Sequence, residues 1–234
     1  MNTKEQLKQV IEFMKVAGQE VNSEPTFQST KISNFRTSLI DEEIFGKDEL
    51  VESVNDDNLV GIVDGLCDIL YVVYGAVATY GITMDEYPLF ERIEGSATLL
   101  HTHTAHGLIR NITSAFEQYK RGVEVGDIIT MRRGLTGIIL EVNRFAEASN
   151  MDIIGAFDEV HASNMSKFTK TTQEAKDSIE FRIAANDKNS ASYVGALINA
   201  VTVEDKLFYV INRASDGKVL KGSNYFEADL AKFA

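Results

Sequence analysis

The chain has 234 residues and a formal net charge of −12, because 35 Asp and Glu outnumber 23 Lys and Arg. Hydrophobic residues at 44% and charged residues at 25% are typical of a globular protein and exclude a disordered or fibrous chain. The acidic balance argues against nucleic-acid binding, which needs clustered Lys and Arg, and against docking on an anionic membrane. The lone cysteine, Cys67, excludes an intrachain disulfide and favours a reducing cytoplasm.

The first third of the chain is predicted to be helical. Apolar residues at helical spacing predict one helix over 6–17 and a second that begins near Phe35, is interrupted at Gly46 and resumes over 50–54. The longest apolar stretch, 59–82, is too long for a strand and predicts a buried helix. It falls short of the roughly 18 uninterrupted apolar residues that a membrane span requires, so we expect no membrane partner.

Residues 96–168 are predicted to be helical again, and they contain a faint echo of the first part. Residues 134–140 repeat the pattern of residues 65–71, but Gly137 stands where the first copy has Asp68. A tandem duplication whose second copy lost its acids would explain the echo, and so would a coincidental likeness between two helices.

The last part of the chain changes character after residue 168. Its pattern predicts a short helix, two strands and a hairpin turn, in that order, over 173–182, 193–201, 207–214 and 215–217. The sequence therefore predicts a mainly α protein with two domains. One is a helical bundle over 1–168, with acidic helices over 35–82 and the degenerate repeat over 96–168, and the other is a small α+β appendage over 169–234.

Acidic residues on two neighbouring helices carry the sharpest chemical signal. Asp64 and Asp68 are four residues apart on an otherwise apolar helix, so they share a face. A carboxylate buried there must be paired, protonated or bound to a metal. The preceding helical segments add Glu42, Glu43, Glu49 and Glu52, which could instead form a solvated face. Facing helices that project carboxylates inward suit a hard divalent cation, and Mg²⁺ is the expected ion.

Several sequence blocks resemble one enzyme superfamily. FRTSLIDEE at 35–43 and DGLCDILYVVYG at 64–75 resemble the all-α nucleoside triphosphate pyrophosphohydrolases, the superfamily of MazG-like enzymes, phosphoribosyl-ATP pyrophosphohydrolases and dimeric dUTPases. The blocks VAGQ at 16–19, FDEVHASNMSK at 157–167 and DGKVLKGSNY at 216–225 are similar to the same family, the last two to its bacteriophage and bacterial members. Together they cover about a third of the chain in the expected order.

The resemblance implies Mg²⁺-dependent hydrolysis of a nucleoside triphosphate between the α and β phosphates, with Mn²⁺ as a substitute ion. Members hold the metal with an ExxE pair on one helix and an ExxD pair on the next. Gly46 takes the place of the second Glu, and a three-residue insertion would bring Glu49 there, while Gly65 stands where many relatives have the Glu of ExxD. The metal ligands carried over are Glu43, Glu49, Asp64 and Asp68. Glu42 or Glu43 is the expected base, and the expected substrate contacts are Gln19, Asn164, Ser166, Lys167 and Lys221.

Two rival hypotheses remain at this point. The glycines at 46 and 65 and the acid-poor second copy would also fit a non-catalytic descendant that binds a nucleotide or a protein. A run of histidines, His101, His103 and His106, could ligate zinc in a hydrolase of another class, although it lacks the Asp of the familiar HxHxDH pattern. The resemblance also implies a homo-oligomer, most simply a dimer, because further dimerisation is common in the superfamily.

Overall fold

The computed structural model describes residues 3–84 and 104–234. Within this part of the chain the fold is mainly α, as predicted, with one two-stranded sheet near the C-terminus. The chain divides into two compact units, Met1–Val10 with Val21–Asp158 and Asp229–Ala234, and Ile11–Glu20 with Glu159–Ala228. A division into independently folding domains at residue 168 stays a prediction.

Most of the described chain lies in helices of two to six turns. In chain order they are α1 (Thr3–Val16), α2 (Thr30–Phe45), α3 (Leu50–Asn55), α4 (Leu59–Tyr80), α5 (Ala105–Val125), α6 (Ile128–Ala148), α7 (Ile153–Met165) and α8 (Thr172–Ala184). The two strands are β1 (Leu197–Val203) and β2 (Lys206–Asn212).

Helix α4 is the core helix of the first unit. The Asn58 side chain caps its N-terminus by accepting a hydrogen bond from the amide of Gly61, and Gly81 ends it in the left-handed conformation at φ 61°. The helix is long and apolar enough to cross a membrane, but 72% of its most apolar 18-residue stretch is buried inside the protein. That burial is what a core helix shows, and the helix also carries Asp64 and Asp68.

The internal echo has a structural counterpart. Helices α4 and α6 begin and end with the same local geometry, and the matching residues lie 69 positions apart throughout. In both copies a residue with positive φ precedes the N-cap, a small residue packs within the helix, and another residue with positive φ follows the C-terminus. The pairs are Asp57 with Gly126, Asn58 with Asp127, Gly65 with Gly134 and Gly81 with Asn150. This register supports the duplication hypothesis.

The two copies differ in the helix before the repeated turn. In the second copy α5 runs unbroken to Val125, whereas in the first the chain is interrupted between the end of α2 and the start of α3. The interruption falls at Gly46, as the sequence predicts. A Cβ on Gly46 would collide with the carbonyl oxygen of Glu42, so a larger residue could not take this extended conformation without a shift of the backbone.

The second unit contains α8 and the hairpin. A capping box between Thr171 and Glu174 starts α8. Strands β1 and β2 pair antiparallel, and Glu204 and Asp205, both with positive φ, form the turn between them. Their apolar core contains Val16, Phe168, Val203 and Val210.

The predicted strand over 193–201 begins too early. Tyr193 ends a 3₁₀ turn, and Gly195 has φ +72°, a conformation that extended strands do not contain. The strand therefore starts at Leu197. After β2, the predicted turn over 215–217 brings Val219 back to an isolated bridge with Asn212 rather than to a full strand.

We predict that Gly134→Ala destabilises the protein. A Cβ at this position would collide with the backbone amide of Tyr119 on α5, so the two helices must move apart, at a cost of about 1–3 kcal/mol. Gly137→Ala is the matched control, because its Cβ would meet only the methyl group of Ala115 at 3.1 Å. Urea unfolding of both variants measures the difference, and equal free energies of unfolding would contradict the close approach.

Candidate metal centre

Three carboxylates converge from three different elements of the first unit. Glu43 lies in the last turn of α2, Glu49 is the N-cap residue of α3, and Asp68 lies in the third turn of α4. One oxygen from each lies within 4.8 Å of the others, and all three side chains are half-buried. The structure thus brings together three of the four metal ligands predicted from the sequence.

The break between α2 and α3 delivers Glu49 to this cluster. Asp48 adopts positive φ, and its amide donates a 2.7 Å hydrogen bond to the Glu52 carboxylate, which closes the turn. Glu49 follows in an extended conformation, and its own side chain does not cap α3. The Glu49 carboxylate therefore stays available to the cluster, whereas the Glu52 carboxylate accepts the hydrogen bond that closes the turn.

Gly65 sets the distance between α3 and α4. A Cβ at Gly65 would lie 3.1 Å from the Cα of Leu50 and 3.2 Å from its backbone nitrogen, so only glycine fits without displacing the neighbour. Leu50 is fully buried and directly follows Glu49. Gly65 departs from the ExxD pattern of the superfamily that the chain resembles, and the structure shows a packing role for this glycine that its local sequence does not reveal. The matching Gly134 is the signal that could have revealed it.

Electrostatic repulsion within the cluster is strong. Burial, the charge of Asp68 and the charges of Glu49 and Glu42 raise the pKa of Glu43 to about 8. Burial and the charge of Asp64 raise the pKa of Glu49. Without a cation, the cluster therefore retains a proton on Glu43 near neutral pH.

A hard divalent cation fits this donor set. Mg²⁺ and Mn²⁺ prefer carboxylate oxygens, and a cation at the cluster would relieve the repulsion that holds the pKa of Glu43 so high. The three grouped residues offer carboxylate oxygens alone, without a sulfur or imidazole ligand among them, which favours a hard ion over zinc.

The other predicted acids lie around the cluster rather than in it. Asp64 is one turn before Asp68 on α4 and is more exposed than Asp68. Its carboxylate is still partly shielded from solvent, which raises its pKa. Glu42 is exposed beside Glu43, and its charge raises the pKa of both Glu43 and Glu49. Both residues thus act on the cluster through their charge, and their roles as ligand and base stay predictions.

The predicted substrate contacts all belong to the second unit. The Lys167 amine donates a 2.6 Å hydrogen bond to Asn164 Oδ1, and the Lys221 amine lies 4.0 Å from the centre of the Tyr225 ring. The Ser166 hydroxyl donates to the carbonyl of Ser163 and accepts from the amide of Phe226. Gln19 follows α1, with its amide bonded to the carbonyl of Met14. Their contacts with substrate stay predictions.

The histidine run and the lone cysteine are the remaining chemical candidates from the sequence. His101 and His103 fall outside the described residues, and His106 is an exposed residue near the start of α5. Cys67 is buried in α4, and burial with the charges of Asp68 and Asp64 raises the pKa of its thiol well above the usual value. A thiol of that kind packs rather than reacts.

Comparison with known proteins agrees with this geometry. The sequence profile of the phosphoribosyl-ATP pyrophosphohydrolase family matches residues 10–96, a range that contains all three clustered carboxylates. An uncharacterised protein of Acanthamoeba polyphaga mimivirus is 32% identical over 206 residues, which cover 82% of this chain and 78% of the viral protein. No solved structure matches the chain.

The matched range carries the acids, and the relative extends the likeness over most of both chains. The chain therefore belongs to the phosphoribosyl-ATP pyrophosphohydrolase family, within the MazG-like superfamily of nucleoside triphosphate pyrophosphohydrolases.

Proposed function

We propose that this protein is a Mg²⁺-dependent pyrophosphohydrolase that cleaves a nucleoside triphosphate between the α and β phosphates, releasing the monophosphate and pyrophosphate. Family membership supports a hydrolase of phosphoric anhydrides in general. The observation that carries the finer proposal is the convergence of Glu43, Glu49 and Asp68 within 4.8 Å. Mn²⁺ is expected to substitute for Mg²⁺, because both ions take oxygen ligands.

The acids in and around the cluster have two kinds of role in this proposal, binding the cation and activating the water. Glu43, Glu49 and Asp68 would hold the cation, which when bound neutralises phosphate charge and the charge that develops on hydrolysis. Glu42 is exposed next to the cluster, where it can orient and deprotonate the attacking water. Glu43 is the alternative base, because it belongs to the cluster itself. Asp64 would complete the ligand set or contact it through water.

The substrate contacts expected from the family resemblance keep their roles in this proposal. Lys167 and Lys221 supply positive charge for the pyrophosphate in a protein whose net charge is −12. Gln19 and Asn164 would donate hydrogen bonds to phosphate or ribose oxygens through their side-chain amides. Ser166 would do so after its hydroxyl leaves the carbonyl of Ser163. We further propose that the protein acts as a homodimer in the cytoplasm.

A non-catalytic nucleotide-binding protein is the second candidate. Gly46 and Gly65 occupy positions where relatives carry acids, and the second copy has Gly137 in place of Asp68. The geometry favours the enzyme because Glu49 reaches the cluster in spite of Gly46, and because Gly65 serves packing.

Turnover of a nucleotide is the direct test of the proposed activity. Purified protein with Mg²⁺ should convert at least one of a panel of NTPs and dNTPs to monophosphate and pyrophosphate, and EDTA should abolish the reaction. Asp68→Asn should lower kcat at least about a hundredfold, because it removes a direct ligand. Asp56→Asn, at an exposed acid outside the cluster, is the control and should leave kcat unchanged.

A folded protein that releases no product from any nucleotide would support the binding protein instead. Product formation that survives in Asp68→Asn would remove the acidic cluster from the mechanism. Phosphate and a diphosphate as products would show cleavage at the other anhydride bond.

The stability of the metal-free protein should depend on pH through Glu43. The pKa of this carboxyl is raised from its ordinary value of 4.5 to about 8, so the folded state binds the proton more tightly than the unfolded state. In EDTA the free energy of unfolding should therefore fall as pH rises from about 4.5 to about 8. Glu43→Gln should flatten this decline, which urea titrations at several pH values measure. An unchanged slope would show that Glu43 is not the proton-binding group.

The packing role of Gly65 predicts an effect on metal affinity. Gly65→Ala should displace Leu50 and Glu49 and so weaken Mn²⁺ binding at least about tenfold, measured by electron paramagnetic resonance titration. Gly134→Ala is the control, because its Cβ would collide with the backbone of Tyr119 at the matching position of the second copy. This variant should retain its affinity for Mn²⁺. Equal losses of affinity in both variants would mean that general destabilisation, rather than the position of Glu49, weakens the metal.

A further inference from the structure

A cavity lies between α2 and α5 in the first unit, apart from the acidic cluster. It has a volume of about 390 Å³ and is lined by the first turns of α2, by the last turns of α5 and by one aromatic ring in the loop before α2. The lining residues are Phe27, Thr30, Ser33, Asn34, Thr37, Lys120, Val123 and Glu124. Its size falls in the range of small-molecule sites in proteins.

Ser33 is the observation that points to a ligand. The residue is 3% exposed and lines the cavity, and its hydroxyl oxygen meets no hydrogen-bond partner among the described residues. A buried hydroxyl without a partner destabilises the protein by about 1–3 kcal/mol. Alanine in the same helix would avoid that cost. The unpartnered hydroxyl at the cavity wall therefore points to a ligand group that forms a hydrogen bond with it.

The cavity faces a different side of α2 from the acids. Thr30, Ser33 and Thr37 follow one another at the spacing of a single helical stripe. Glu43 comes ten residues after Ser33, which places it about 15 Å further along the axis and about 80° around it. The cavity is therefore a second site, and not part of the metal centre.

The lining selects the chemistry of the ligand. Phe27 is 48% exposed and offers an aromatic face, while Ser33 offers a hydroxyl and Asn34 an amide. The Thr37 hydroxyl at the same wall already donates a hydrogen bond to the carbonyl of Ser33. Lys120 is the cation of the lining, and its amine already pairs with Glu117 at 2.6 Å. With Glu124 also at the wall, the cavity has no surplus positive charge for a phosphate. A flat, uncharged ring with donors and acceptors along its edge fits these groups.

We propose that the cavity between α2 and α5 binds the heteroaromatic base of a nucleoside, with Phe27 against its face and the Ser33 hydroxyl on its edge. Two sources of the base share this chemistry: the triphosphate whose phosphates are bound elsewhere, and a free nucleoside that acts as an effector. The first source rests on the proposed function. The proposal itself does not require hydrolytic activity, because binding of a free nucleoside tests it directly.

The experiment is calorimetric titration of the intact protein in EDTA with the common ribo- and deoxyribonucleosides. At least one nucleoside should bind without metal. Ser33→Ala should weaken its binding about threefold to tenfold, the loss of one hydrogen bond, and Phe27→Ala should weaken it as well. Ser38→Ala, at an exposed serine on the same helix, and Asp68→Asn, in the metal centre, should leave the affinity unchanged.

Thermal unfolding supplies a readout that does not depend on the choice of nucleoside. Ser33→Ala should raise the melting temperature of the ligand-free protein, because it removes the unpartnered hydroxyl, whereas Ser38→Ala removes a hydroxyl that bonds to the carbonyl of Phe35 and should not raise it. A lower melting temperature for Ser33→Ala would overturn the proposal. So would nucleoside binding that Ser33→Ala and Phe27→Ala leave intact, or no binding of any nucleoside.

Competition separates the two sources of the base. A non-hydrolysable triphosphate added with Mg²⁺ should displace the nucleoside if the cavity holds the substrate's own base. Simultaneous binding of both would identify the nucleoside as an effector. Both results keep the cavity as a base-binding site, and a pyrophosphohydrolase assay that fails would leave this test unaffected.

Discussion

The mutual repulsion of Glu43, Glu49 and Asp68 is the constraint on which the candidate metal centre depends. One oxygen from each of these carboxylates lies within 4.8 Å of the others, and burial together with the neighbouring charges raises the pKa of Glu43 to about 8. The arrangement persists because the backbone imposes it. Asp68 belongs to the buried helix α4, and Gly65 on the same helix holds the start of α3, and hence Glu49, close by.

A comparison of α4 with α6 separates the features that both helices share from those found only around the acidic cluster. Helix α6 repeats the caps and the turns of α4 at a spacing of 69 residues, and Gly134 repeats the close approach of Gly65. The same packing is achieved there with Gly137 at the position of Asp68 and with an unbroken α5. The acids and the break after α2 are therefore features of the first copy alone, as a duplication whose second copy lost its acids would leave them.

The main elements could be predicted from the sequence because their signals are local, whereas the details of the site depend on contacts between elements. The apolar period of α4, the interruption at Gly46 and the cap of α8 at Thr171 depend on neighbouring residues, and the structure contains each of them. The start of β1 was harder to predict, because glycine adopts positive and negative φ about equally. The sequence therefore does not indicate that Gly195 has positive φ and interrupts the strand. The role of Gly65 depends on the backbone of Leu50, which is 15 residues away in sequence. The unpartnered hydroxyl of Ser33 has no sequence signature, because any helix can bury a serine.

Helix α2 concentrates the locally unfavourable features of the first unit. Its buried residues include Ser33 and Arg36 beside Ile40 and Ile44, and burial lowers the pKa of Arg36 to about 10. The last turn of the same helix carries Glu43, whose pKa is raised by burial and by the charges of neighbouring acids. By contrast, α4 buries apolar side chains along most of its length. The two stripes of α2, one toward the cavity and one toward the acids, therefore match the two ligands proposed above, a nucleobase and a cation.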